Sequence, residues 1–139
     1  MNDFFIHNDD VEYCIRLSKM GKILLSVKAG IYHLENALNT DIPRKFLNHK
    51  RNRPAINKLW IRYYGTRNIV WIKKKYLYNK SVLQNCVLLL HIGRSLFKHT
   101  KDILLYDDFK MKRFNFYLSA YIDGWYGRFD NDKPRKMMN

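Results

Sequence analysis

The sequence predicts a mixed α/β chain, in which a short helix and two short strands precede a mainly α-helical region. Three observations carry that expectation. An acid-led amphipathic segment over residues 9–20 is followed by two short runs rich in Ile, Leu and Val. Beyond Pro54, three stretches repeat apolar residues at helical spacing. Charge is also segregated. Residues 1–41 hold six acids and four Lys or Arg, residues 42–101 hold fifteen Lys or Arg and no acid, and residues 102–139 hold six acids and seven bases.

Taken in order, Asn8 is placed as an N-cap, and Asp9, Asp10 and Glu12 crowd the first turn, where the helix dipole favours negative charge. Val11, Cys14, Ile15 and Ser18 share one face, Glu12 and Arg16 are an i, i+4 pair, and Gly21 is the expected stop. The runs KILLSV (22–27) and AGIYHLE (29–35) are expected strands. Residues 36–53 lack a strong period and contain Pro43, so they are expected to be mostly loop. Pro54 suits a first helical turn, and a long helix follows from Ala55 to about Tyr76. A second is expected from about Ser81 to His99. A third, capped by Asp107 or Asp108, runs from Phe109 to about Ile122 and stops at Asp123-Gly124. Residues 130–139, DNDKPRKMMN, read as a disordered tail.

The chain has 139 residues and a formal charge of +14, with 47% hydrophobic and 15% aromatic residues. It is too apolar for a disordered basic tail. Two cysteines, Cys14 and Cys86, exclude a disulfide framework and a cysteine-rich zinc fold. The opening MNDFFIHNDD lacks the cationic start of a signal peptide, and Cys86–Leu90 is the longest wholly apolar run. These features set the expectation of a cytosolic protein that does not cross a membrane. The acid-free middle repels itself unless an anionic partner or surface offsets it, with nucleic acid, lipid headgroups and phosphorylated substrates as candidates.

The densest chemistry lies in HNDDVEYCIRLSKMGKILLSVKAGIYH (7–33). Adjacent carboxylates at a helix start can act as a general base with an orienting neighbour, and a His at a strand end can ligate a metal. Equally, an Asp-Asp pair is ordinary helix capping, and His33 is an ordinary packed histidine.

The string FFIHNDDVEYCIRLSKMGKILLSVKAGIYHLENA (4–37) resembles the second half of the catalytic domain of family 2 glycosyltransferases of GT-A fold, most closely their rhamnosyltransferase-like and galactofuranosyltransferase-like members. YYGTRN (63–68) is similar to the family's Tyr-Tyr-x-x-Arg-Asn segment, and AYIDGWYGRF (120–129) to its closing Asp-Gly-x-x-Gly-Arg stretch. The resemblance implies residues 1–41 as the acceptor-side end of a GT-A domain and 42–129 as a basic, mainly helical C-terminal region. It implies Asp10 as the base that deprotonates the acceptor hydroxyl, and Asp9 as its positioning neighbour. Arg16, paired with Glu12, would brace the acids. His33 would be a ligand to a divalent metal, Mg or Mn, on the diphosphate of a nucleotide-sugar donor.

The family's first half holds the nucleotide-binding sheet and an Asp-any-Asp motif. Here those letters occur only in the polar 130–134 segment. The resemblance therefore implies an α/β fragment whose N-terminal half is supplied by a separate chain or lost, with little transfer activity alone. A glycan acceptor is the implied partner, and the location is the cytoplasm, at the inner face of the cell membrane. The alternative is a basic protein that binds an anionic membrane or nucleic acid without catalysis. Nucleic acid is disfavoured, because the aromatics of WIRYYGTRNIVWIKKK (60–75) recur at helical spacing instead of on a sheet face.

Overall fold

The computed structural model describes residues 7–24, 26, 28, 30, 41–77 and 81–138. Among them the chain is mixed α/β and mostly helical, with five α-helices and one two-stranded antiparallel sheet. The order is α1 (Asp9–Leu17), β1 (Asp41–Phe46), β2 (His49–Pro54), a 3-10 turn (Ile56–Lys58) and α2 (Leu59–Ile72). A π-helical turn (Lys73–Leu77), α3 (Val82–Tyr106), α4 (Lys110–Tyr126) and α5 (Lys133–Lys136) follow.

The apolar spacing dictates the core. Leu59, Tyr63 and Tyr64 of α2 meet Phe116, Tyr117 and Ala120 of α4, with Ile103 of α3 beneath and Met137 and Met138 along the edge. Helices α2 and α3 both lean on α4. Gly124 lies inside α4, not at its end, because α2 passes directly over it. A Cβ there would sit 2.5 Å from the Arg67 carbonyl oxygen. The helix ends instead at Gly127, whose φ of 66° suits glycine. Asp107 and Asp108 do not cap α4; Phe109 holds the N-cap position at φ 47°. Helix α3 starts as expected, with the Ser81 hydroxyl accepting from Gln84 N, but continues to Tyr106 because Asp102 and Ile103 are buried in the packing below.

The first expected strand does not form at its described residues. Lys22–Leu24 are coil, and residues 31–35 lie outside the described residues. The hairpin instead occupies 41–54, a stretch read as mostly loop, with Phe46 opposite His49 and Pro43 opposite Asn52. Its residues are too polar to alternate visibly. It is held by ion pairs to acids that follow some fifty residues later. Arg53 is bidentate on Asp107 at 2.9 and 2.5 Å, Arg51 reaches Asp102 at 2.7 Å, and Arg44 reaches Asp108 at 2.5 Å. Buried Arg113 ties the hairpin to α4, donating to the Pro54 carbonyl at 2.9 Å and to Asp108. The basic middle is thus partly neutralised by the chain's own acids.

The hairpin turns on Leu47, which is 76% exposed and held at φ 50°. Leu47→Gly is expected to raise stability by about 0.5–1 kcal/mol, read as a higher urea midpoint, since the left-handed conformation strains a Cβ and the side chain is mostly exposed.

Residues 130–138, expected to be disordered, are packed. Asp130 Oδ1 accepts from the backbone N–H of Asp132 and Lys133 at 2.9 and 3.2 Å, Pro134 is buried, and the Tyr64 hydroxyl donates to the Asn131 carbonyl at 2.6 Å.

Candidate functional site

The acid pair begins α1, and the segment just ahead of it is clamped to α2. Asn68 Nδ2 donates to the His7 carbonyl at 2.7 Å, and Asn8 Nδ2 donates to the Gly65 carbonyl at 3.2 Å. Asn8 therefore does not cap α1 with its side chain. It occupies the N-cap position at φ 61° and spends its amide on α2. His7 is also left-handed, at φ 65°, so the chain turns sharply into the helix.

Asp9 and Asp10 are both exposed at this turn. Asp10 Oδ1 accepts from the Val11 N–H at 2.8 Å, which leaves the second carboxylate oxygen directed away from that bond.

Glu12, not the Val11 face, is what α1 buries. It is 2% exposed, accepts from the Tyr76 hydroxyl at 2.5 Å and lies 3.5 Å from Arg16. Burial alone would raise the Glu12 pKa. The Tyr76 hydrogen bond and the Arg16 charge outweigh it and hold the carboxyl below its usual range. The Tyr76 phenol is pushed up to about 12 by burial and by Glu12. Val11, Cys14 and Ser18 of the expected apolar face are exposed. Arg16 meets Glu12 and the Tyr13 ring, 5.3 Å from its centroid, so its ion pair is with Glu12 and not with Asp9 or Asp10. His33 lies outside the described residues.

Behind the clamp, the two distant segments 63–68 and 120–129 converge. Tyr63 donates to Asp123, a carboxylate that also accepts from Lys133 at 2.6 Å. Arg67 is fully buried. It donates to Asn68 Oδ1 at 3.0 Å and to Asn131 Oδ1 at 3.2 Å, and its guanidinium lies over the Tyr64 and Phe129 rings at 5.0 and 4.9 Å. The Arg67 bond fixes Asn68, whose amide nitrogen then faces His7. Two polar clusters result: Tyr63, Asp123 and Lys133 tie α2, α4 and α5 together, and Asn131, Arg67 and Asn68 lead through α2 to His7.

Sequence reasoning missed a cleft of 1120 Å³ between α2 and α3 that reaches His7 and Asn8. The spacing of Arg94, Lys98 and Lys101 on one face of α3 was the available signal.

Among the described residues, no three or more His, Cys, Asp or Glu side chains converge. No helix among them is long and apolar enough to cross a membrane. Comparison with family models, curated proteins and solved structures gives no match to this chain.

The titrating groups set a pH dependence. Burial, then the neighbouring Arg53 charge, depresses the His99 pKa. The unfolded chain therefore takes up this proton first, and stability falls as pH drops below about 6.5 toward the folded value. Glu12 and Asp108 have lowered pKa values, because hydrogen bonds and cationic neighbours outweigh burial. Their contribution is present above about pH 4.3 and is lost as pH falls through their folded values. Urea midpoints should decline from pH 7.5 to 5 and again below 4.5. His99→Phe, which preserves a ring against Tyr117, should abolish only the first decline.

Proposed function

We propose that this chain is the acceptor-side part of a family 2 glycosyltransferase of GT-A type, with Asp10 as the general base. The observation that carries the reading is the clamp. The two motif-like segments 63–68 and 120–129, far apart in sequence, pack together, and the first of them bonds His7 and Asn8, just ahead of Asp9-Asp10, through Asn68 and Gly65.

In this reading Asp10 accepts the proton of an acceptor hydroxyl as that oxygen bonds to the anomeric carbon of a nucleotide sugar. The nucleoside diphosphate departs with the electrons of the broken bond, and the configuration inverts. Asp9 positions the hydroxyl. Glu12, with Tyr76 and Arg16, keeps α1 from shifting. A divalent cation would neutralise the departing diphosphate, held chiefly by the nucleotide-binding half that precedes this part of the domain or is supplied as a second polypeptide. The acceptor is a polysaccharide or lipid-linked glycan, and the site of action is the cytoplasmic face of the cell membrane. Exposed Val82, Leu83, Leu89 and Leu90 on α3 suit a peripheral position there.

The test is to co-produce the chain with the polypeptide encoded immediately upstream and supply dTDP-rhamnose or UDP-galactofuranose with Mg²⁺ or Mn²⁺ and a glycan acceptor. Acceptor-dependent release of nucleoside diphosphate is expected. An upstream product without a nucleotide-binding half, together with no release, would count against the reading.

A further inference from the structure

We propose that the cleft between α2 and α3 is a binding groove for a diphosphate group, a role that does not depend on the sugar-transfer reading. Two helical stripes form its walls. On α2 and the π-helical turn that continues it, Arg62, Thr66, Ile69 and Lys73 follow one another at three- and four-residue spacing. On α3, His91, Arg94, Lys98 and Lys101 do the same, and all eight line the cleft. Arg94, Lys98 and Lys101 on the α3 wall are thus spaced by about one helical turn, roughly 5 Å, the spacing that lets two side chains grip neighbouring phosphates, and Arg62 and Lys73 stand eleven residues apart on the facing wall.

Arg62 is already paired with Asp41 at 3.2 Å, but the other Lys and Arg of the two stripes are available. Among the described residues Lys73, Arg94, Lys98 and Lys101 form no ion pair. The one acid lining the cleft, Asp102, is already engaged by Arg51 at 2.7 Å and Arg53 at 3.6 Å, so it adds little repulsion. The floor is apolar, built from Val70 and Leu88, which lowers the local dielectric and strengthens each charge contact. Arg and Lys on opposed walls suit a compact, multiply charged anion.

A single-stranded nucleic acid fits less well, because it needs exposed rings on which bases stack. Of the Phe and Tyr rings described in the cleft, only Phe97 is exposed, so it offers a single stacking surface; Tyr117 and Tyr121 are 3% and 6% exposed, and Tyr117 is already stacked on His99 at 4.5 Å.

The full chain should be titrated calorimetrically with inorganic pyrophosphate at physiological ionic strength, alongside vesicles of phosphatidylcholine with and without phosphatidic acid, and a single-stranded oligonucleotide. Arg94→Glu/Lys98→Glu is compared with Lys45→Glu/Lys110→Glu, an equal charge change at exposed positions outside the cleft. Pyrophosphate binding that weakens at least about tenfold in the first variant and stays near wild type in the second supports the groove, the loss expected when a charge-assisted hydrogen bond is removed. Vesicle binding with the same dependence on phosphatidic acid and on Arg94 and Lys98 assigns the phosphate to a lipid headgroup; pyrophosphate binding without it assigns a soluble ligand. Equal weakening in both variants overturns the proposal, as does the absence of both pyrophosphate and vesicle binding. Oligonucleotide binding that is tighter than pyrophosphate and lost in the cleft variant overturns it in favour of nucleic acid.

Discussion

Asp10→Asn is expected, on the proposed role as base, to lower transfer by about 10²–10⁴-fold, the usual contribution of a positioned base, when the chain is assayed with the nucleotide-binding half proposed above. Donor binding should stay within about twofold, because the base acts on the acceptor oxygen and gains its importance only as the new bond forms. The substitution is nearly isosteric. The side-chain oxygen of Asn can still accept from the Val11 N–H, and the position is exposed, so the urea midpoint should not move. Asp9→Asn is expected to act mainly on acceptor KM, since the proposed role of Asp9 is to orient the hydroxyl without taking its proton. If Asp9→Asn were the severe variant and Asp10→Asn the mild one, the roles would be exchanged.

Gly124→Ala should give the largest loss of stability for the smallest chemical change. A helix interior ordinarily gains about 1 kcal/mol from this replacement. Here the added carbon would stand 2.5 Å from the Arg67 carbonyl oxygen and 2.9 Å from Val70 Cβ. The first is backbone and cannot swing aside, so α4 must move off α2, at a net cost of about 1–3 kcal/mol or more. Gly93→Ala in α3 meets nothing within 4 Å and should stabilise instead, which makes the pair a test of the crossing and not of glycine. Displacing α4 also disturbs Tyr63–Asp123 and Arg67, the support of Asn68. Gly124→Ala should therefore weaken transfer even at temperatures where the protein remains folded.

The sequence made α2, α3 and α4 legible because their apolar residues recur at helical spacing. It misled where a residue serves a distant partner. Asp123-Gly124 has the letters of a stop, yet one residue anchors Tyr63 and Lys133 and the other admits α2. The hairpin was hidden because Arg44, Arg51 and Arg53 carry no strand signal by themselves. Their acids lie beyond residue 101 and meet them only through α3 and the start of α4. In α1 the amphipathic pattern pointed to Val11 and Cys14, but Tyr76, sixty-four residues later, offers Glu12 a hydrogen bond that draws the carboxylate inward. The acid pair itself was visible as a motif, while its clamp by Gly65 and Asn68 was not. Those contacts are made by a backbone carbonyl and an amide whose orientation depends on Arg67.

The most direct measurement is the anomeric configuration of the sugar product, read by NMR, from the chain acting together with its nucleotide-binding half. One base and a single displacement predict inversion, with release of nucleoside diphosphate only when both parts are present. Retention of configuration, or equal transfer by the nucleotide-binding half alone, would contradict the assignment of Asp10 and of this chain as the acceptor side.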